Sequence, residues 1–207
     1  MRRSLMSPIP EIELAAKLLD DAANALLAND KDLCASLLHE ADMPCIMQYA
    51  KRIVGKISQE VHRQTHMPKD VVAKHMRDPA RMPTAAIEYE IYSRDGWTCR
   101  FCDSKVISKK ARAVFIKLFP EETRWHLPEF QKHSALYAMS SSLDHVVPHS
   151  RGGKNEIENF VTACYCCQFG RGQWTLEETE LEDPRKRPPI SGTWDGLTRL
   201  EQHFKRI

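Results

Sequence analysis

Two pairs of cysteines, Cys99-x-x-Cys102 and Cys164-x-x-Cys167, stand in a chain of 207 residues that has seven cysteines in all. Two thiolates three positions apart on a tight turn reach one ion, and two such turns complete a tetrahedral Cys₄ zinc site. Four protein thiolates leave no open position for water, so such an ion clips two loops together and does no chemistry itself. A redox role is the other reading of a CxxC pair, but no βαβ pattern surrounds either one, and zinc is expected. Cys34 and Cys45 fall among apolar residues at helical spacing and read as buried thiols. Cys166 competes with its neighbours for the metal, although the three-residue spacing favours Cys164 and Cys167.

Between the two pairs runs Asp144-His145-Val146-Val147-Pro148-His149, followed by Gly152-Gly153 and Asn159. Adjacent side chains on a strand point to opposite faces, but at a strand end both can serve one site. A carboxylate there holds a hard divalent cation, and a neutral imidazole, with an ordinary pKa of about 6.5, takes a proton from water near neutral pH. His149, a few residues on, reads equally as a group that touches a phosphate or the metal and as a solvent-exposed loop histidine.

The elements that must position these groups are legible in outline. Leu14, Leu18, Ala22, Ala25 and Leu26 recur at helical spacing behind Pro8 and Pro10. A second helix carries Leu33, Leu37 and Leu38, and a third opens at Pro44 and is expected to reach about Thr65. A short helix is expected near Val71–Met76. Asp78-Pro79-Ala80-Arg81-Met82-Pro83 reads as a linker, because each proline biases the residue before it away from helix. The expected organisation is a helical segment over 1–80, a second domain over 84–180 with a helical insert at about 105–140, and a basic linker with a final helix over 181–207. Strands are expected at Leu143–Val147 and Phe160–Ala163, with a helix from near Cys167 toward Glu178. Lys and Arg number 30 against 28 Asp and Glu, a formal net charge of +2, which excludes a polycationic DNA coat. Mean hydropathy is −0.48 and no run of about 18 apolar residues occurs, so no membrane span is expected. The prolines near the start prevent a signal-peptide core, and a cysteine-rich chain without one is expected in the cytoplasm.

Taken together, Tyr92-Ser93-Arg94-Asp95-Gly96-Trp97-Thr98-Cys99-Arg100-Phe101-Cys102, then Leu143-Asp144-His145-Val146-Val147-Pro148-His149-Ser150-Arg151-Gly152-Gly153, then Glu158-Asn159-Phe160-Val161-Thr162-Ala163-Cys164 with Cys167, resembles the HNH endonuclease family. The resemblance covers about residues 86–178. It implies an α+β fold, a ββα-metal nuclease core with structural zinc, here preceded by a small helical N-terminal domain. It implies that Asp144 is the first ligand of a catalytic Mg²⁺ or Mn²⁺, that His145 is the general base, and that Asn159 steadies the loop and the histidine. The family's third position, usually His or Asn and a second metal ligand, falls here on Gln168, a departure that keeps the amide oxygen but adds a methylene. The implied reaction is phosphodiester hydrolysis of DNA, in restriction, phage defence or mobile-element biology.

A nuclease needs a local basic stripe rather than a high net charge. His149, Arg151, Lys154, Lys109, Lys110 and Arg171 are the expected DNA contacts, within a wider basic cluster that also includes Lys105, Arg112 and Lys117. Residues 1–80 carry no chemical motif and are expected to bind a protein partner, form a homodimer or pack on the nuclease. Two rivals follow: a non-catalytic zinc-containing DNA-binding module, and a nuclease subunit silent until a partner docks.

Overall fold

Prolines and caps set the helix boundaries in the computed structural model, which describes residues 1–54, 70–80 and 82–204. Helix α1 spans Pro10–Leu27, with Pro10 at its first position and Glu11 and Glu13 in its first turn, where a carboxylate meets the positive end of the helix dipole. It ends at Asn29, whose φ is 62°. Helix α2, Lys31–Ala41, is capped by the Asp30 carboxylate, which accepts from Leu33 N–H. Helix α3, Pro44–Ile53, starts at a proline; its expected continuation to Thr65 lies outside the described residues. Near the expected Val71–Met76 helix there is a single 3₁₀ turn, Lys74–Met76.

Beyond the linker come α4 (Ala85–Arg94), α5 (Lys109–Leu118), α6 (Pro120–Thr123) and α7 (Ser134–Ala138). Two strands follow, β1 (Ser141–His145) and β2 (Phe160–Cys164), and then α8 (Tyr165–Arg171) and α9 (Thr198–His203). The strands pair antiparallel, Ser141 opposite Cys164 through to His145 opposite Phe160. The result is α+β: a small two-stranded sheet among helices, with β1, β2 and α8 as a ββα unit. Helix α8 stops earlier than expected because Gly172 at its C-terminus takes a positive φ of 60°.

The N-terminal helices share one continuous apolar core with the rest of the chain. Helix α3 packs on α7 and α8, and α1 on α7 and α9. The approach to α8 is tight: a Cβ on Gly170 would lie 2.6 Å from Ile53 Cγ2 and 2.7 Å from Leu5 Cδ1, so only glycine lets α3 and the N-terminal strand of chain come this close. Polar ties repeat the link, with Arg199 on Asp20, Arg124 on Asp42, and His133 Nε2 at 2.8 Å from Leu38 O. No helix among the described residues is long and apolar enough to cross a membrane.

Candidate active site and metal centre

The two CxxC turns converge on one point. The Sγ atoms of Cys99, Cys102, Cys164 and Cys167 all lie within 4.8 Å of one another and are buried. Cys102 Sγ and Cys164 Sγ are 3.7 Å apart, close to the edge of about 3.8 Å that a tetrahedron with Zn–S bonds of 2.3 Å requires. The first turn is shaped by Cys99 N–H donating to Ser104 O and Asp103 N–H donating to Cys99 O. Cys164 caps the start of α8, its Sγ accepting from Cys167 N–H at 3.4 Å. Hydrogen bonds from Cys102, Cys166 and Cys167 pull the Cys164 thiol down to about 6. Cys167 is pushed well above its ordinary value, first by its contact with Cys102. Four buried sulfurs this close cannot all ionise on their own; a doubly charged soft cation is the group that fits them. Cys166, though buried, stands outside the four. Cys34 is fully buried and its thiol is pushed up to about 12 by burial, while Cys45 is only partly covered.

The first knuckle is tied to the sheet as well. Arg100 N–H donates to Thr162 O at 2.9 Å, and the buried Asp95 carboxylate accepts from Thr162 N–H at 2.8 Å. The four-cysteine cluster therefore ties α4, β2 and the start of α8 to one another.

On this frame β1 presents two chemically different faces. Ser142 and Asp144, two residues apart, face α8. The Ser142 hydroxyl donates to Gln168 Oε1, Gln168 Nε2 donates to Leu143 O at 3.0 Å, and Arg171 reaches Asp144. A helix places i and i+3 side chains on one face, as a strand does i and i+2, so Gln168 and Arg171 meet Ser142 and Asp144 in register. Arg171 donates from Nε to Asp144 Oδ2 at 3.0 Å and its Nη2 lies 2.8 Å from Oδ1. Its remaining donors go to the carbonyls of His145, Val146 and Trp174. Arg171 was expected at a DNA-facing surface, yet it is 1 % exposed; its work is internal. Burial pushes the Asp144 carboxyl up, and the guanidinium opposes that rise.

Removing one partner of such a pair leaves an uncompensated buried charge, at a cost of about 3–5 kcal/mol. Arg171→Met is therefore expected to lose that much stability in urea unfolding, and Asp144→Asn placed on the same background to recover part of it. A loss below about 1 kcal/mol, the value of an exposed pair, would show that the bidentate contact does not form in solution.

His145, at the end of β1, lies on the other side. Its ring packs on Phe160 with centroids 4.4 Å apart and lies 5.7 Å from the His149 ring. Its Nε2 is 2.9 Å from Asn155 Oδ1. Asn155 Nδ2 donates to Ala80 O, which fixes the amide orientation, so the oxygen facing His145 accepts from a proton on Nε2. The histidine is thus oriented by Asn155. Asn159 ties the loop instead: its Oδ1 accepts from Val147 N–H, and its Nδ2 donates to Val147 O and Lys154 O. Asn155 was missed in the sequence, where its only signal is an amide beside the Gly-Gly loop. A Cβ on Gly153 would fall 1.8 Å from Val147 O, so the loop closes only with glycine there.

The segment 70–80 lies against this loop. Val72 N–H donates to Ser150 O at 2.9 Å, His149 Nε2 is 2.9 Å from Asp78 O, and Asn155 N–H donates to Asp78 Oδ2 at 2.9 Å. His145 is 7 % exposed beneath these contacts. Of the other expected DNA contacts, Arg151 pairs with Glu178 at 2.8 Å, Lys109 pairs with Glu88 at 2.9 Å, and Lys110 and Lys154 are exposed.

A two-stranded antiparallel hairpin followed by a helix, beside a cluster of four cysteines and with a histidine at the strand end, defines a ββα unit. Residues 129–168 match the family model of the HNH endonuclease. The match contains Asp144, His145, Asn155, Asn159 and Gln168; Arg171 and the first cysteine pair lie beyond it. Comparison with curated proteins and with solved structures finds no match.

Proposed function

We propose that the chain is a DNA endonuclease that hydrolyses phosphodiester bonds with His145 as general base. The observation that carries this reading is the place of His145 at the end of β1 in the ββα unit, its ring held by Phe160 and, at Nε2, by Asn155. Asn159 holds the 147–154 backbone so that the ring keeps its place at the end of β1. Asp144 and Gln168 supply oxygen donors on one face, the donor type Mg²⁺ and Mn²⁺ take. An ion at Asp144 competes with the Arg171 guanidinium for the same two oxygens. When bound, a divalent cation neutralises charge on the scissile phosphate. Arg171 presents a fixed positive charge at the same carboxylate. Divalent-metal-dependent nicking of plasmid DNA, lost in His145→Ala, is the test. Restriction, phage defence or mobile-element biology is the setting the domain suggests by analogy.

A second reading is favoured by one observation, the seating of residues 70–80 on the 149–155 loop. In it the nuclease is silent until a partner draws this segment away. Asp78→Ala removes the carboxylate bonded to Asn155 N–H, and under this reading it raises plasmid nicking several-fold in the absence of any partner. Unchanged or reduced nicking by the variant would reject the silent state.

A further inference from the structure

The β1–β2 hairpin borders a cavity of about 330 Å³ whose walls come from α5, the 125–132 segment, α7, the start of β1, and α8. That volume is at the small end of ligand pockets, the size for one small molecule or one unit of a polymer. Its polar lining is incomplete. Arg112 donates from Nη1 to the Ser140 hydroxyl, while its Nε is buried without an acceptor and pairs with no carboxylate among the described residues. Ser141, 4 % exposed at the start of β1, lies beside the buried Tyr92 hydroxyl. A buried guanidinium N–H left open is costly unless a ligand completes it.

The rest of the lining is aromatic and cationic. Trp125 lies under two cations, with Arg112 Cζ 4.7 Å and Lys132 Nζ 4.8 Å from its ring centre. Tyr137 and Tyr165 pack with centroids 4.4 Å apart, and Tyr165 stacks on Phe169 at 4.2 Å. Phe169 is 47 % exposed at the rim, an uncommon place for a phenylalanine. Both tyrosine hydroxyls donate to Glu129 Oε1, which holds that carboxyl below its usual range. Its Oε2 is left as an acceptor suited to an amino group and not to a phosphate. Arg112 and Lys132, which form no salt bridge among the described residues, stacked aromatic rings, and one acceptor form the combination that binds a nucleotide: phosphate on Arg112 and Lys132, base against the rings.

We infer that this pocket takes one nucleotide of the nucleic-acid strand that the proposed nuclease cuts, and the inference rests on that reading. Position supports it. Ser142 lines the pocket and donates to Gln168, and it is two residues from Asp144, about 7 Å along the strand. The pocket and the proposed metal-binding carboxylate thus lie on the same, α8-facing side of β1. The base reaches it either from an unpaired strand or by extrusion from a duplex.

The test uses the full chain without divalent cation and a fluorescent oligonucleotide of about 8 nucleotides, offered single-stranded and as a duplex, with and without one abasic position. Trp125→Ala and Arg112→Met are expected to weaken binding by about 5- to 150-fold, the range for loss of one stacked base. The abasic position is expected to cost the wild type a similar factor and the Trp125→Ala variant little more, a coupling that a merely structural defect would not produce. Trp125→Phe, which keeps a ring, retains most of the affinity. Losses with the single strand alone assign an unpaired strand, and losses with both forms assign extrusion. Variants that bind both forms like the wild type, a wild type with no affinity for either, or an abasic penalty that persists in full in Trp125→Ala would overturn the pocket. Wild-type plasmid nicking, which depends on His145, reports separately on the nuclease itself.

Discussion

His145→Ala removes plasmid nicking in Mg²⁺ or Mn²⁺, a fall of at least about 100-fold and up to about 10,000-fold, the usual contribution of a positioned general base. The expectation rests on geometry. The imidazole is held at the end of β1 by Phe160 on one side and by Asn155 at Nε2, so alanine removes the base without touching the cysteines or the Asp144–Arg171 pair. The ring is buried, and its loss also leaves a cavity beside Phe160. The variant is therefore checked by circular dichroism and thermal unfolding beside the wild type. Cleavage that persists in a folded His145→Ala protein would assign the base elsewhere. A wild type that nicks plasmid under no divalent metal would favour the DNA-binding module over the enzyme.

Loss of the zinc cluster is expected to act on folding rather than on chemistry. Structural zinc sites in small domains contribute about 10–16 kcal/mol of apparent binding free energy, as much as the whole stability of a typical domain, about 5–15 kcal/mol. One zinc per chain is expected to co-purify. Strong chelators and Cys164→Ser are each expected to unfold the segment that contains β1, β2 and α8. Cys164 is the more damaging choice of the four because it also ends β2 and caps α8. Metal analysis that finds no zinc in the fresh protein, or a Cys164→Ser variant with unchanged unfolding, would sink the Cys₄ assignment. Together the two variants separate roles that lie close in space: one is folded and inactive, the other unfolded.

These effects bear on the N-terminal helices as well. Gly170 of α8 is packed under Ile53 and Leu5, so disorder in the zinc cluster exposes apolar surface on α3 and the first residues of the chain.

The spacing of Cys99, Cys102, Cys164 and Cys167 marked the four-thiol cluster, since two thiols three apart on a turn reach one point wherever the chain carries them. The Asp144–His145 pair and the Gly-Gly loop were legible for the same reason: their chemistry is local. Helix starts at Pro10 and Pro44 were readable from proline and acidic first turns. Which partners those residues take was decided by tertiary structure. Arg171 reads in the sequence as a surface cation on a helix, and only the docking of α8 across β1 makes it the buried partner of Asp144. Gln168 reads as a metal ligand with one methylene too many, but the same docking sets its amide on Ser142 and Leu143. Asn155 carries no motif, and it orients His145 only because the loop closes over Gly153 and the 78–80 segment holds its amide. Side chains brought together by packing, rather than by spacing along one element, leave no period in the sequence to read.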